Sequence, residues 1–437
     1  MALIAQRPKG TLDAVPAEAY KWNTVESIAR ETAELYGFKE IRTPMFEQTN
    51  LFERSVGDTT DVVQKEMYTV TAKTSQRGEK ENSFTLRPEG TAGAARAVLE
   101  NGILNEALPQ KVYYIISCFR HEKQQKGRYR EFHQFGVEMY GSSSPCADAD
   151  VIALAQSYID RLGLKGIELC INSIGCPTCR AKYHEALRAY FESKKSDLCE
   201  TCLGRLEKNP MRILDCKSPV CSEIAKDAPV ILDFLCEECS THFEALKANL
   251  TAMEIDFTIN PKIVRGLDYY TKTVFEFITT DIGAQGTVCG GGRYDGLIEE
   301  IGGPKTPALG FAMGLERLIL TMDSQGCDYI QPRKCNLFIA SMGNMALAKA
   351  VTLTKALRDE GFWVEYDVMG RGLKAQMKYA DKINAEFSMV LGDNELETNK
   401  VNLKNMKTGE QIEIALDESF IDQFSNIQIS NMFGGIL

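Results

Sequence analysis

Apolar residues in the first third of the chain recur at steps of three and four, a spacing that predicts helices over 17–38 and 146–162. Two apolar runs between them, 111–120 and 132–141, indicate the strands of a hairpin whose loop is polar and basic. The segment 85–100 is typical of a loop that runs into a helix. This part of the chain is therefore predicted to combine helices with an antiparallel sheet.

The middle of the chain has a different pattern. Residues 170–250 are helical by periodicity, are interrupted by short turns, and are rich in cysteine, which indicates an insertion. Strand patterns resume at 273–280, 286–295 and 308–314, and the last of these runs into an apolar helical segment. The insertion is therefore expected to interrupt a single sheet.

Strand and helix patterns alternate after residue 326, which favours a small α/β domain with a mostly parallel sheet. The fold class predicted for the whole chain is α/β, with an α+β domain whose antiparallel sheet is flanked by helices. The predicted boundaries place this domain at 1–169 and 256–326, a helical insertion at 170–255, and the C-terminal α/β domain at 327–437.

Composition is that of a water-soluble globular protein, with 44% hydrophobic and 25% charged residues among 437. The sequence has no run of about 18 apolar residues and no signal-peptide pattern at its start, so we expect a cytoplasmic protein without a membrane span. The net charge of −10 argues against a nucleic-acid coat protein. A nucleic-acid enzyme remains compatible with it, because such binding depends on local basic patches.

Nine of the 14 cysteines lie between Cys170 and Cys239. Eight of them form four close pairs, which are suited to two tetrahedral four-thiolate zinc sites. The alternative is that they are reduced cysteines packed as small hydrophobic residues, and the spacing does not decide between the two. The candidate zinc ligands are Cys176, Cys179, Cys199, Cys202, Cys216, Cys221, Cys236 and Cys239.

The hairpin loop holds five cations between Arg120 and Arg130, and two aromatic residues are interleaved with them. Arginine suits phosphate because its planar guanidinium makes paired hydrogen bonds, and a neighbouring aromatic ring can stack on a base. The loop is therefore a candidate nucleoside triphosphate site, although a charge run by itself is more often a solvated surface. Its cations and aromatic residues are Arg120, Lys123, Lys126, Arg128, Tyr129, Arg130 and Phe132.

Separated motifs along the chain give this loop a context. The segments "TLRPEGT" at 85–91, "FRHE" with the basic loop, and "GFAMGLERL" at 310–318 resemble signature motifs of class II aminoacyl-tRNA synthetases. The segment around Pro44 resembles the dimer-forming motif of that class. "VRGLDYYTKTVFEF" at 264–277 and "GGGRYDGL" at 290–297 resemble two peptides peculiar to the histidyl-tRNA synthetase family. The resemblance covers essentially the whole chain, and its C-terminal part resembles an anticodon-binding module.

The resemblance implies a homodimeric ligase that joins L-histidine to tRNA(His) with ATP and Mg²⁺. It implies that Arg120 holds the α-phosphate and the histidine carboxylate, with Arg265 opposite it. Arg128 and Arg317 would hold the outer phosphates. Residues implied in catalysis are Arg120, Arg265 and Arg317, and those implied in ATP binding are Arg120, Glu122, Arg128, Phe132 and Arg317.

A histidine pocket must satisfy an imidazole with one hydrogen-bond donor and one acceptor. Glu138 and Tyr270 are the residues expected to do so, with Gln134 nearby, and Glu89 and Thr91 are expected to hold the α-amino group. The full set implied by the resemblance is Glu89, Gly90, Thr91, Arg120, Gln134, Glu138, Arg265, Tyr269 and Tyr270.

The glycines of "CGGGRYDGL" are not followed by Lys-Ser/Thr, so they do not form a Walker-type phosphate loop. Gly290, Gly291 and Gly292 are expected instead to form a bare strand beside the amino-acid pocket. The alternative function is a non-catalytic, histidine-sensing regulatory paralogue of the same fold. The presence of Arg120, Arg265, Arg317 and a complete C-terminal domain argues against it.

Overall fold

The computed structural model describes residues 5–56, 60, 62–70, 83–125, 127–216, 218–263, 267, 269–281 and 286–432. The chain divides into two compact units, Met1–Ile330 and Gln331–Leu437. The division lies four residues after the predicted end of the second sheet segment, residue 326. Within the described residues, no helix is long and apolar enough to cross a membrane.

The helices of the first unit are α1 (Ala19–Leu35), α2 (Thr49–Val56), α3 (Thr91–Glu100), α4 (Pro145–Arg161), α5 (Pro177–Glu192), α6 (Glu200–Lys208), α7 (Pro219–Ile224), α8 (Glu237–Ala252), α9 (Leu297–Glu300) and α10 (Leu315–Gln325). Its strands are β1 (Lys39–Glu40), β2 (Phe46–Gln48), β3 (Tyr68–Val70), β4 (Phe84–Leu86), β5 (Gln110–Phe119), β6 (Glu131–Tyr140), β7 (Glu168–Ser173), β8 (Thr258–Ile259), β9 (Thr271–Ile278), β10 (Thr287–Arg293) and β11 (Ala308–Gly314).

An eight-stranded sheet organises this unit in the order β1-β5-β6-β11-β10-β9-β7-β8. Its central strands are antiparallel, and only the pairs β1·β5 and β7·β8 are parallel among the described strands. The predicted hairpin is confirmed as β5 and β6, which pair along ten residues from Gln110↔Tyr140 to Phe119↔Glu131. A smaller sheet has the order β2-β4-β3.

Alternation along β6 positions the site. Phe135, Val137 and Met139 belong to the main hydrophobic core, together with residues of α1, α4, α8 and α10. Successive side chains of a strand point to opposite faces, so Gln134 and Glu138 point away from that core. The apolar cluster thus fixes which polar side chains of β6 lie on the other face of the sheet.

The predicted insertion starts inside a strand. Residues 168–173 form β7, which pairs with β9 in the large sheet, and Cys170 is buried within it. The helices α5 to α8 follow, and α8 returns to the main core through Phe243, Leu246 and Leu250. The cysteine-rich segment is therefore anchored to the sheet at its entrance and to the core helices at its exit.

The second unit contains β12 (Leu337–Ser341), α11 (Asn344–Asp359), β13 (Val364–Tyr366), α12 (Leu373–Lys382), β14 (Phe387–Leu391), α13 (Asp393–Thr398), β15 (Lys400–Asn405), β16 (Gln411–Ala415) and α14 (Phe420–Met432). Its sheet has the order β13-β12-β14-β15-β16. β12, β13 and β14 are parallel, as the strand–helix alternation predicts. β15 and β16 are antiparallel additions that the alternation did not indicate.

Candidate active site

A cleft of about 1030 Å³ opens in the first unit. Strands β6, β9, β10 and β11 contribute its floor, and the hairpin loop and α10 contribute one side. The insertion contributes another side through residues between 199 and 218. Predicted site residues among those that line it are Glu89, Thr91, Arg120, Glu122, Arg128, Phe132, Gln134, Tyr269, Tyr270 and Arg317. The tertiary fold thus brings predicted residues from four separate sequence motifs to one cavity.

Glu138 lies under the floor of the cleft rather than on its surface. It is fully buried, accepts a hydrogen bond from the Tyr114 hydroxyl at 2.9 Å, and accepts a second from Tyr294, which lines the cleft. Burial raises the pKa of Glu138 to about 8, and the hydrogen bond from Tyr294 acts in the opposite direction. The result is a buried carboxyl group held by two phenols, with no positively charged partner in its described hydrogen bonds.

Glycines leave the space that the Glu138 carboxyl group and the Tyr114 ring occupy. Gly310 pairs with Glu138 across β11 and β6, and a Cβ at Gly310 would stand 1.9 Å from a Glu138 carboxylate oxygen. A Cβ at Gly90 or Gly136 would stand within 2.4 Å of the Tyr114 ring. The predicted histidine-site residue Gly90 therefore makes room for Tyr114.

Glu89 is held at the start of α3. Its carboxylate accepts the backbone N–H of Thr91 at 2.6 Å and that of Ala92 at 2.9 Å. These are amides of the first helical turn, which have no partner within the helix. Burial raises the pKa of Glu89, while the two backbone hydrogen bonds oppose the shift. Glu89 is thereby fixed in orientation at the edge of the cleft.

The tyrosine pair 269–270 connects the cleft to the insertion. Both side chains are buried, line the cleft, and have ring centroids 4.7 Å apart. The backbone carbonyl of Tyr270 accepts a 2.7 Å hydrogen bond from Arg180 on α5. Gln134, on β6, accepts a hydrogen bond from the Cys118 thiol at 3.3 Å. The backbone of Tyr270 and the side-chain amide of Gln134 are thus each held by a neighbour from another element.

Arg120 begins the cationic side of the cleft. Its Nε donates to the carbonyl of Pro88 at 2.8 Å, which ties the hairpin to the "LRPEGT" segment. Its guanidinium carbon lies 5.2 Å from the centroid of the Phe132 ring, within cation–π range. Phe132 therefore lies directly beside Arg120 at the mouth of the hairpin.

Arg317 and Arg128 complete this side. Arg317 donates to the carbonyl of Thr287 at 2.5 Å and to that of Gly127 at 3.3 Å. Arg128 pairs with Glu122 at 2.9 Å. Burial lowers the pKa of the Arg317 guanidinium, and the nearby charges of Arg128 and Arg120 lower it further. Two arginines of the hairpin loop and one of α10 thus converge where an anion would neutralise their repulsion.

Arg265, predicted to oppose Arg120, lies outside the described residues.

The three successive glycines of β10 have different surroundings. Gly290 lines the cleft, as expected of a bare strand beside a pocket. A Cβ at Gly291 would meet the Gly310 carbonyl at 2.4 Å, and one at Gly292 would meet the Thr273 carbonyl at 2.5 Å. Gly291 and Gly292 therefore allow close approach of neighbouring strands, a role that the expectation did not include.

Sequence reasoning missed several supporting residues. Tyr114 and Tyr294 bind Glu138, and Glu316 accepts both the backbone N–H and the ring Nδ1 of His133 at 2.8 and 2.9 Å. Glu316 therefore joins α10 to β6. The position of Tyr114 opposite Gly136 is a signal that depends on knowing the strand register.

The eight cysteines of the insertion form two clusters. The neck cluster contains Cys176, Cys179, Cys236 and Cys239, and the wall cluster contains Cys199, Cys202, Cys216 and Cys221. Within each cluster the four sulfur atoms lie within 4.8 Å of one another, and none forms a disulfide. The pairing of close motifs in space agrees with the sequence prediction.

The sulfur spacings suit a tetrahedral metal. Four thiolates at about 2.3 Å from zinc place sulfur atoms roughly 3.8 Å apart. The Cys176–Cys179, Cys176–Cys236 and Cys199–Cys216 sulfur distances are 3.6, 4.0 and 3.8 Å. Backbone N–H groups of Cys236 and Cys199 point at the sulfurs of Cys179 and Cys221, at 3.0 and 3.2 Å. Such hydrogen bonds stabilise metal-bound thiolates.

Comparison with known proteins places these features in a family. The protein-family model of histidyl-tRNA synthetase matches residues 10–318, and the family model of the anticodon binding domain matches residues 336–424. A histidine–tRNA ligase from Acetivibrio thermocellus is 54% identical over 95% of this chain and 98% of its own. A histidine–tRNA ligase from Clostridium perfringens is 52% identical over 98% of this chain and 100% of its own length.

A solved structure agrees. The apo histidyl-tRNA synthetase of S. aureus has a TM-score of 0.81 at 39% identity, over 96% of this chain and all of its own. The mixed α/β fold with an anticodon-binding domain is thereby confirmed. On the family match, the near-complete coverage by relatives and the shared fold, the chain belongs to the histidyl-tRNA synthetase family.

Proposed function

We propose that the chain is an ATP-dependent histidine–tRNA ligase that uses this cleft for both half-reactions. The first joins L-histidine to the α-phosphate of ATP and releases pyrophosphate, and the second transfers the histidyl group to the 3′ end of tRNA(His). The observation that carries the proposal is the convergence of Arg120, Arg128 and Arg317 in one cavity with the Glu138–tyrosine network at its floor.

The arginine side is assigned to ATP. The transition state of adenylation places extra negative charge on the α-phosphate, and preorganised cations stabilise that charge. Arg120 lies between the hairpin and the "LRPEGT" segment and contacts the α-phosphate and the histidine carboxylate. Arg128 and Arg317 bind the outer phosphates, for which Arg128 exchanges its partner Glu122. Glu122 then contacts the adenine side and Phe132 stacks on the base.

The buried carboxylates are assigned to histidine. Glu138 and Tyr270 recognise the two ring nitrogens, with Gln134 and Tyr269 beside them. An analogue that lacks those nitrogens would leave these polar groups unpaired, so the site rejects it. The geometry that supports this assignment is the position of Glu138 under Gly310 and next to Tyr294, both of which line the cleft. Glu89 and Thr91, at the start of α3, bind the α-amino group.

Two assignments rest on the family alone. Arg265 stands opposite Arg120 and stabilises the same phosphate, and Mg²⁺ enters with ATP as part of the substrate complex. Replacing Arg265 with alanine is expected to lower the adenylation rate far more than it weakens histidine binding. Equal losses in rate and in binding would limit Arg265 to a binding role.

Histidine-dependent exchange of radiolabelled pyrophosphate into ATP tests the proposal. The full chain should exchange with histidine and with none of the other nineteen amino acids. Folded protein that binds histidine without exchange would instead match the regulatory-paralogue alternative.

The proposal includes two structural zinc ions, one in each cysteine cluster. Four sulfur donors at tetrahedral spacing favour zinc over harder metals, and the sulfur distances of 3.6–4.0 Å carry the argument. Metal analysis of purified protein should find close to two zinc ions per chain. A zinc-free folded protein would show that the cysteines are packed as reduced thiols.

We also propose a cytoplasmic homodimer. Met45 and Phe46, next to Pro44, have exposed fractions of 49% and 52%, and this apolar surface supports pairing between copies. Sedimentation at micromolar concentration should show a dimer, and a monomer would contradict this part of the proposal. The three-domain division predicted from sequence, with the catalytic domain in two parts, stays part of the proposal, and β7 is now assigned to the catalytic sheet.

A further inference from the structure

The two cysteine clusters occupy different places relative to the cleft. In the neck cluster, Cys176 and Cys236 stand at the N-terminal ends of α5 and α8, where the insertion leaves and rejoins the body of the first unit. In the wall cluster, Cys199 and Cys216 line the cleft itself, together with Arg120 and Arg317. A metal in the wall cluster would therefore lie beside the reaction space.

The chain between the ligand pairs of the wall cluster carries three cations, and two of them, Arg205 and Arg212, line the cleft. Arg205 lies on α6, and Arg212 lies on a 3-10 turn, Pro210–Ile213. Both line the cleft, and Arg205 donates to the backbone carbonyl of Arg212 at 3.0 Å. The same stretch also presents Asp215 to the cleft. This wall therefore presents two positive groups and one negative group.

Ligation would fix the wall at both ends. Cys202 precedes Arg205 by three residues, and Cys216 follows Arg212 by four, so the cluster closes a loop around both arginines. The backbone N–H of Cys199 also donates to the Cys221 sulfur at 3.2 Å. The segment also buries Leu206, Met211 and Ile213 in an apolar cluster with residues of α5. Ligation would add a closure at both ends to that packing and so fix the two arginines further.

We propose that the wall cluster is a metal site that holds Arg205 and Arg212 in the cleft, where they bind the phosphates of the tRNA 3′ end during histidyl transfer. The inference rests on the proposed function, because transfer requires that the anionic 3′ end enter the cavity that holds the adenylate. Guanidinium groups suit phosphate through paired hydrogen bonds. Adenylation uses the arginines of the hairpin loop and α10 and does not need this wall.

The first test keeps both metals in place. Arg212→Ala is compared with Lys208→Ala, which removes an equal charge from an exposed position on α6. Arg212→Ala should lower kcat/KM for tRNA in aminoacylation by about tenfold and reduce the salt dependence of tRNA binding by about one ion. Lys208→Ala should change neither quantity by more than about twofold. Equal effects of the two variants would overturn the assigned role of Arg212.

The second test removes the metal. Cys221→Ser, whose side chain is buried within the cluster, should bind one zinc ion per chain instead of two. Its affinity for tRNA should fall by about tenfold or more, while its histidine-dependent pyrophosphate exchange stays within about twofold of the unmodified chain. Cys146→Ser, an exposed cysteine outside both clusters, is the control and should keep two zinc ions.

The outcomes separate this inference from the proposed function. Absence of exchange in the unmodified chain would reject the ligase itself. Exchange that falls as much as aminoacylation in Cys221→Ser would assign the metal to overall stability, and two zinc ions in that variant would reject the wall cluster as a site. If Cys221→Ser does not fold, the Arg212 and Lys208 pair still decides the role of the wall.

Discussion

The floor and the arginine side of the cleft hold their ionisable groups in opposite ways. At the floor, Glu138 is completely buried and is satisfied by the neutral hydroxyls of Tyr114 and Tyr294. At the arginine side, Arg128 is partly exposed and paired with Glu122, and Arg317 is held by backbone carbonyls. The hydrogen bonds at the floor are already satisfied within the protein, so a ligand must fit them. The arginines are held by partners that phosphate can replace.

This difference assigns separate tasks to the two regions. A buried network discriminates strongly, because a wrong ligand leaves its polar groups unpaired. Convergent cations discriminate little between anions but stabilise charge that develops in the reaction. Changes at the floor should therefore act on histidine recognition, and changes at the arginine side should act on the rate of adenylation.

The largest effect is expected at the arginine side. Arg317→Ala should lower kcat for pyrophosphate exchange by about 10²–10³, because a preorganised group that stabilises transition-state charge is lost. The KM for histidine should stay within about twofold. Steady-state exchange kinetics at saturating ATP measure both quantities.

The control for this prediction is Lys123→Ala, an exposed cation in the hairpin loop between β5 and β6. A similar fall in kcat for Lys123→Ala would show that general positive charge, rather than the position of Arg317, supports the reaction. A large rise in the KM for histidine in Arg317→Ala would break the division between the two regions.

The next effect is expected at the floor. Glu138→Gln should lower kcat/KM for histidine by roughly 30- to 100-fold, because the amide nitrogen cannot accept the hydrogen bond from Tyr294 or from the imidazole. The KM for ATP should change little. Exchange kinetics with histidine as the varied substrate measure the effect.

Glu131→Gln, on the same strand and only half-buried, is the matched control and should leave kcat/KM for histidine unchanged. If Glu138→Gln mainly raised the KM for ATP, Glu138 would act on ATP rather than on histidine, contrary to the division between the two regions.

A smaller effect is expected when only the space around the carboxyl group changes. Gly310→Ala places a methyl group against Glu138 and the Val137 carbonyl, so the network must shift. Histidine kcat/KM should fall by about tenfold as a result of about 1.4 kcal/mol of lost binding. At Gly296 the nearest atom to a new Cβ is 3.7 Å away, and Gly296→Ala should have no such effect.

The smallest effect is a pH dependence of stability. Glu138 has a pKa of about 8 in the folded chain, above its ordinary value of 4.5, so the folded chain keeps a proton that the unfolded chain has lost. The stability provided by that proton is full below pH 4.5 and is lost as the pH rises toward 8. Glu138→Gln lacks this dependence.

Urea unfolding at pH 6 and pH 7 measures the difference. The free energy of unfolding of the unmodified chain should fall, relative to Glu138→Gln, by about 1.4 kcal/mol over that unit. Glu89 also has a raised pKa, but it is present in both proteins and its contribution cancels. A difference that does not vary with pH would mean that Glu138 is already ionised in the folded chain.

The order of strands and helices was largely readable from the sequence. Alternation and helical spacing predicted β5, β6, β11 and the helices around them, because each of these elements buries one regular face. The short motifs also identified ten residues that line the cleft. The strands β15 and β16 were not predicted, although Val401 and Leu403, and then Ile412 and Ile414, alternate with polar residues on the two sides of a turn.

By itself, the sequence determined the elements, the family and the chemical types present: arginines for phosphate, a carboxylate for imidazole, and four cysteine pairs. Only the tertiary structure decided which of these groups meet. It placed Tyr114 and Tyr294 on Glu138, where Gly136 and Gly310 leave space, and it turned the wall cluster toward the cleft. The physical reason is that strand register and the return of the insertion to the core are set by long-range packing, which local sequence patterns do not record.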